Sequence, residues 1–307
     1  MKSIITGMCL ALGLSFVSAQ IKLSFNPEEG VQYVYQTEIV QNIKESTMGI
    51  EISINETVSM GWLMTIKRKS AAETEVQFTW KDVSYLLSNP MIKMGYDSKK
   101  MTKNPNSIDK MHEKILSSVI GKSFTLSIAP DGSVNSVSGV DAITEGVTQA
   151  VVTDGEMGEQ LSASMISQWL GEEAIKGMIE QSLKIYPPND VKTGDNWMIE
   201  SKYGISNKKS NIKSVCILKS VRNDMATITV AARNVAFEPA GGLEGTLNGT
   251  QSGDLLVDVK TGIPVSSDLT LNIKGTVRGQ VEMMKMITKM KTTIKEAPKD
   301  ATEETSQ

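Results

Sequence analysis

Residues 281–297 read VEMMKMITKMKTTIKEA, and this segment can be read with two periodicities. A helix would form an apolar stripe but would set Lys289 and Lys291 at its flanks. A strand separates the residue types, because successive side chains point to opposite faces. Three lysines then share one face, and the other face holds Met284, Met286, Thr288, Met290, Thr292 and Ile294. Threonine also favours β-structure, so the segment is predicted to be a strand.

Most of the chain shows the same alternation of apolar and polar residues, as in residues 31–43, 48–68 and 74–87. The third run changes phase near Asp82, which predicts a β-bulge. Two hairpins are predicted from turn chemistry, at Pro130–Gly132 and at Lys260–Gly262. The glycine-rich residues 238–253 match no phosphate-binding loop and are interpreted as a flexible connection.

Two regions have helical periodicity instead. Residues 106–120 place their apolar residues on one face, with Asn106 or Ser107 as the N-cap and Gly121 at the C-terminal end. Residues 156–185 continue in the same way, and Gly171 is expected to split them into two helices that end before Pro187.

The chain contains two segments that follow one plan. Gly30 and Gly194 each precede an aromatic residue by three positions, and an alternating strand follows. Residues 66–85 align without gaps with residues 218–237, which lie 152 positions later. These two matches predict an internal repeat. A repeat of this kind decides how the whole fold is interpreted.

The first residues have the features of an export signal. Lys2 precedes the apolar run IITGMCLALGLSFV, and VSA ends at Ala19 with small residues where cleavage requires them. The run is too short for a membrane span. The predicted organisation is a signal peptide at 1–19, an N-terminal half at 20–152, a C-terminal half at 153–295 and a disordered acidic tail at 296–307. The predicted location is therefore periplasmic or extracellular.

Charge and cysteine content restrict the function. Lysine and arginine number 32 against 35 acidic residues, a net charge of −3, so no nucleic-acid partner is indicated. Removal of the leader would leave Cys216 alone, in an apolar strand-like setting, and no intramolecular disulfide could form. Cys216 is interpreted as a small buried residue.

The residue types that catalysis usually requires are scarce. The chain has one histidine, His112, which is interpreted as an exposed or edge-of-core helix residue. Histidine-rich zinc sites and His-based nucleophilic catalysis are disfavoured, and no catalytic residue, metal or cofactor is predicted. Paired carboxylates such as Glu172 and Glu173 are adjacent in sequence, which is poor spacing for a glycosidase. The protein is predicted not to be an enzyme.

The 18 methionines admit three roles: core packing, the lining of an apolar groove, and a copper site. A flexible thioether wall adapts to varied hydrophobic guests, whereas copper sites usually add His or Cys. The candidate lining residues come from both helical and strand segments, namely Met165, Trp169, Met178, Met284, Met286 and Met290.

Three motifs occur in an order that resembles a domain-of-unknown-function family of exported bacterial proteins. They are GVQYVY at 30–35, VKTGDNWMIE at 191–200, and GDLLVDVKTGIPVSSDLTLNIKG at 253–275. The resemblance implies no activity and no catalytic residues. The strand-and-helix pattern is also similar, in architecture only, to the periplasmic lipoprotein-carrier fold.

The predicted fold class is α+β, a large curved antiparallel sheet with amphipathic helices packed on its concave side. Two functions are compatible with it. The first is a cell-envelope protein that binds a hydrophobic or lipid-like molecule between sheet and helices. The second is a structural or interaction module with a closed core and an envelope protein as partner.

Overall fold

The computed structural model describes residues 20–47, 49–100, 105–205, 208–237, 245–277 and 281–298. The predicted signal peptide and residues 299–307 of the predicted tail lie outside these described residues. Within them the chain forms twelve strands and four α-helices.

The strands are β1 (Gln32–Thr47), β2 (Ile50–Lys69), β3 (Thr74–Ser88), β4 (Lys93–Asp97), β5 (Ser123–Ile128), β6 (Val134–Ser138), β7 (Asn196–Ile205), β8 (Lys208–Arg222), β9 (Met225–Phe237), β10 (Gly245–Asp258), β11 (Pro264–Val277) and β12 (Val281–Glu296). They pair into one antiparallel sheet in the order β6-β5-β3-β2-β1-β12-β11-β10-β9-β8-β7, and β4 pairs with β3 outside that path. The predicted α+β class with a large antiparallel sheet is confirmed.

The helices are α1 (Ser107–Ser117), α2 (Val140–Ala150), α3 (Gly155–Met165) and α4 (Glu172–Leu183). Asn106 caps α1 through a capping box with Asp109, as the sequence predicted for this position. A π-helical turn, Ile166–Leu170, joins α3 to α4, and the break at Gly171 was predicted. Helix α2 was not predicted.

The methionine-rich segment is a strand, as predicted. β12 pairs with β1 on one side and with β11 on the other. It ends at Glu296, one residue into the predicted tail. The strands of residues 20–152 and 153–295 therefore form a continuous sheet, joined through β1 and β12.

Both predicted hairpins are present, but one predicted loop is wrong. Residues 123–138 form β5 and β6, and residues 245–277 form β10 and β11 with a turn at Lys260–Gly262. From Gly245 onward, the glycine-rich segment interpreted as a flexible connection is strand β10. Its glycines lie where neighbouring backbone comes close, so they permit the sheet to form there instead of interrupting it.

The predicted internal repeat corresponds to a repeated hydrogen-bond pattern. The N–H of Gly30 donates to the Ile66 carbonyl (2.9 Å), and the Ile66 N–H donates to the residue after that glycine (3.0 Å). In the other half, the Gly194 N–H donates to the Leu218 carbonyl at 2.8 Å, and the Leu218 N–H donates to the residue after Gly194 at 3.0 Å. Ile66 and Leu218 are aligned in the gapless comparison. Both glycines have positive φ, 83° and 95°, a conformation that few other residues adopt without strain.

The two halves also bend at equivalent places. The pairing of β2 with β3 changes register between Trp80 and Asp82, where the sequence predicted a bulge. The pairing of β9 with β10 changes register between Ala232 and Val235, a span that includes Asn234, the residue aligned with Asp82. Bulges increase the local twist of a sheet, so each half curves at the same point of its own strand.

Helix α4 contacts both ends of the sheet order, because it packs on β7 and on β6. The backbone N–H of Val134, the first residue of β6, donates to the buried carboxylate of Glu180 at 3.0 Å. On the other side, Trp197 of β7 donates its indole N–H to the Ile185 carbonyl at 2.8 Å, just after α4. Helix α4 thus packs against the two edge strands of the sheet, and its Glu180 carboxylate pairs one backbone group of β6.

One end of the sheet is closed by residues 20–27. Phe25 donates its N–H to the Pro130 carbonyl and Asn26 donates to Thr261, both at 2.8 Å, so one segment is bonded to both hairpin turns. The aromatic core lies in this part of the fold, where Tyr35, Trp62, Phe78, Trp80 and Phe124 are fully buried and in mutual ring contact.

Replacing Gly253 with alanine is expected to destabilise the fold. The added methyl would lie well inside van der Waals distance of the Asp268 carbonyl oxygen on β11, and backbone cannot move aside easily. Overpacking of this kind typically lowers the free energy of unfolding by about 1–3 kcal/mol. Urea denaturation measures the change. Ser252→Ala, on the exposed side of the same strand, is the control, and equal stability of the two variants would contradict the assignment.

Candidate functional site

The inner face of the sheet is the face that carries Tyr35, Ile39 and Met290, and the predicted alternation of β12 matches it. Met286, Thr288, Met290, Thr292 and Ile294 are buried there. Lys285, Lys289 and Lys291 are exposed on the opposite face. The outer residue Met283 is 64% exposed. The methionines of this strand that were predicted to point inward therefore do so.

The helical candidates also point into the protein. Met165 is buried at the end of α3, and Met178 is buried in α4. Trp169 belongs to the π-helical turn between those helices and is partly buried against the main core. π-helical turns within helical segments occur frequently at functional sites.

The six candidate residues do not form a single wall. Met165, Trp169, Met178 and Met290 belong to the main apolar cluster, which also contains the aromatic core. Met284 and Met286 belong to a second cluster, with Ile212, Ala232, Val235, Leu247, Leu271 and Ile273. Four of the candidates thus belong to the large main cluster and the other two to the second cluster.

A row of buried polar residues lies between the two clusters on the inner face, and we call it the polar belt: Glu56, Gln41, Thr288, Gln251 and Ser214. Gln41 pairs in register with Glu56 on β2 and with Thr288 on β12. Leu271 separates Thr288 from Gln251. Ser214 donates its hydroxyl to Gln251 Oε1 at 3.3 Å, which extends the belt onto β8.

Several interior polar groups have no hydrogen-bond partner within the part of the chain that the structure describes. They are Thr288 Oγ1 in the belt, Ser267 Oγ on β11, and the indole Nε1 of Trp62, Trp80 and Trp169. A buried polar group without a partner is destabilising by about 1–3 kcal/mol. Such groups in a native fold call for a specific explanation, and a bound polar molecule is one.

Glu56 is the ionisable member of the belt. Burial raises the pKa of its carboxyl, and a hydrogen bond with the Tyr85 hydroxyl opposes part of that increase. Burial also raises the pKa of Tyr85. The ring of Tyr85 stacks on His112 of α1, with centroids 5.0 Å apart. Glu56 is therefore held beside the helical layer in an environment that favours its neutral form.

His112 and Cys216 are both buried. His112 is 2% exposed, so an exposed position was wrong. Its Nδ1 lies 2.9 Å from the Ile108 carbonyl, and burial lowers its pKa. Cys216 is fully buried, as predicted, and burial raises the pKa of its thiol to about 12, which keeps it an unreactive thiol.

The sequence analysis missed the polar belt, although one signal was present. Gln41, Glu56, Gln251 and Thr288 all occupy inward positions of alternating strands. Polar residues at inward positions are exceptions to the pattern that defines an amphipathic strand. Their alignment into a row, however, depends on strand register, which no single segment reveals.

The fold and its interior define a class of protein: a curved antiparallel sheet whose inner face is covered by helices and is crossed by a polar row. A family model described as "Family of unknown function (DUF6263)" matches residues 71–264, and the chain belongs to that family. No curated protein matches. Among the described residues, none of the helices combines the length and apolarity that crossing a membrane requires.

Solved structures resemble the chain only distantly. A structure of lipid–protein interactions in lipovitellin matches 88% of this chain with 7% identity and a TM-score of 0.49, and this chain spans 26% of the lipovitellin chain. DynF, from the dynemicin biosynthesis pathway of Micromonospora chersina, matches 91% of this chain and 87% of its own, with 7% identity and a TM-score of 0.23. These likenesses carry no argument about function.

Glu56→Gln is expected to stabilise the protein at pH 8 and to have much less effect at pH 4. A carboxyl whose pKa is higher in the folded state favours folding at low pH, and that contribution is lost as pH rises through the folded pKa. Glutamine keeps an acceptor for Tyr85 and never ionises. Chemical denaturation at both pH values measures the difference, with the exposed Glu38→Gln as control. A stabilisation of equal size at pH 4 would contradict the argument.

Proposed function

We propose that this protein is a non-enzymatic, exported cell-envelope protein that holds a hydrophobic or lipid-like molecule between its sheet and its helices. The observation that carries the proposal is the occurrence of unpartnered polar groups among apolar walls. Trp169 contributes one from the helical layer, and Thr288 and Ser267 contribute two from the sheet. A core that served packing alone would gain stability from apolar residues at the two hydroxyl positions.

The composition of the walls supports the same conclusion. Met165 and Met178 from the helices and Met290 from the sheet belong to one apolar cluster. Methionine side chains are flexible and polarisable, so they repack around guests of different shape at little strain. Pockets for small molecules are lined mainly by apolar side chains, with a few polar groups that fix orientation.

An interaction module remains the second candidate, and one surface favours it. The hairpin between β3 and β4 exposes Leu86, Met91 and Ile92, and Met91 is 80% exposed. Exposed apolar side chains that lie together are typical of protein interaction sites. This surface is compatible with a ligand-binding interior, since it lies on a hairpin outside both apolar clusters.

Binding of the fluorescent apolar probe N-phenyl-1-naphthylamine tests the interior site. Saturable binding to the purified protein is expected. Met290→Gln should weaken that binding about tenfold, because an amide in an apolar wall loses its hydration without gaining a partner. Met283→Gln, on the outer face of the same strand, should leave the dissociation constant unchanged.

Circular dichroism of both variants establishes whether they fold, and Met178→Gln provides a second interior change if the first variant does not. Absence of saturable probe binding by the unaltered protein would contradict the proposed function and leave the interaction module. Equal weakening by the inner and outer substitutions would show that the probe binds elsewhere.

A further inference from the structure

The charge of the polar belt restricts what it can bind. No lysine or arginine is among the buried side chains of the described residues. Glu56 is the belt's ionisable member, and Tyr85 and His112 are the titratable groups packed beside it. The lysines of β12 are exposed on the other face. A guest in contact with the belt therefore meets amide and hydroxyl groups, one carboxyl and no cation from these strands.

An anionic head group is a poor match for this environment. A buried carboxylate or phosphate needs a cation or several N–H donors to offset the loss of its hydration. Any negative charge on Glu56 would repel it in addition. An uncharged hydroxyl avoids both penalties, because it donates one hydrogen bond and accepts others.

The belt offers complementary groups for such a guest. Thr288 Oγ1 is buried and has no partner among the described residues, so it is free to donate or accept. Gln251 receives the Ser214 hydroxyl on Oε1, so its amide reaches toward β8, on the far side of β10 from Thr288. Apolar residues continue on either side of Thr288 on the same face, with Met286 before it and Met290 after it.

On this basis we infer that the belt selects an amphiphile whose polar group is an uncharged hydroxyl next to an alkyl chain, in preference to fatty-acid or phosphate-bearing amphiphiles. The inference rests on the proposed function and names the chemical class of its ligand. The hydroxyl lies against Thr288, and the chain lies along the methionines beside it.

Competition among three probes of equal chain length tests the inference. Decanol, decanoate and decylammonium are titrated against bound N-phenyl-1-naphthylamine at pH 7.4. Decanol is expected to displace the dye at a concentration at least about tenfold lower than decanoate, a difference of the size produced by leaving one buried charge poorly compensated. The full chain, without its leader, is used throughout.

Thr288→Val and Thr292→Val form a matched pair of variants. Both replace a buried threonine on the inner face of β12 by an isosteric residue. Thr288→Val removes an unpartnered hydroxyl, so the protein should become more stable while the preference for decanol falls several-fold. Thr292 exchanges a hydrogen bond with Thr37 at 3.1 Å, so its replacement should lower stability and leave the preference unchanged.

Five results would overturn the inference. Decanoate binding as tightly as decanol would do so, as would an unchanged decanol preference in Thr288→Val. Tightest binding of decylammonium, lost in Glu56→Gln, would assign a cationic guest instead. Dye binding that none of the three probes displaces would reject the belt while the proposed function stands, whereas failure of the dye itself to bind would reject both.

Discussion

Pairing between β1 and β12 is the contact on which the rest of the structure depends. It joins Tyr33–Ser46 to Met283–Glu296, so the first and last strands of the described residues meet in the centre of the sheet. Without it, the two halves would be separate meanders with additional open edges. The contact is also distant in sequence, which makes it entropically demanding to form. The extensive backbone pairing and the buried row that includes Ile39 and Met290 offset that demand.

The register of this pairing decides which side chains meet on the inner face of the sheet. Gln41 lies opposite Thr288, and Ile39 lies opposite Met290, so polar residues meet polar residues and apolar residues meet apolar ones. Because side chains alternate between faces, a slip by one residue would bring Lys289 inward in place of Thr288. The lysines of β12 therefore disfavour incorrect registers. The alternation that identifies β12 as a strand also determines which of its residues belongs to the polar belt.

How far the sequence predicts this structure depends on how local each signal is. The face pattern of β12, the capping of α1 by Asn106 and the two hairpin turns all follow from residues within a few positions of one another. The first part of β10, residues 245–252, was missed because glycines are typical of loops, while the role of the β10 glycines here is close approach to β11. The polar belt could not be predicted, because Gln41 and Thr288 are brought together only by pairing across the whole chain.

The belt is also where the sequence departs from what stability alone would favour. Valine at Thr288 would fill the same volume without an unpartnered hydroxyl, and a neutral side chain at Glu56 would avoid a buried carboxyl. Departures from local consistency are expected at functional positions, where stability is given up for recognition. The unpartnered Ser267 hydroxyl and three indole groups lie outside the belt, whereas Glu56 and Thr288 both lie in it, between two apolar clusters. Such an arrangement suits a molecule that is itself apolar apart from one polar group.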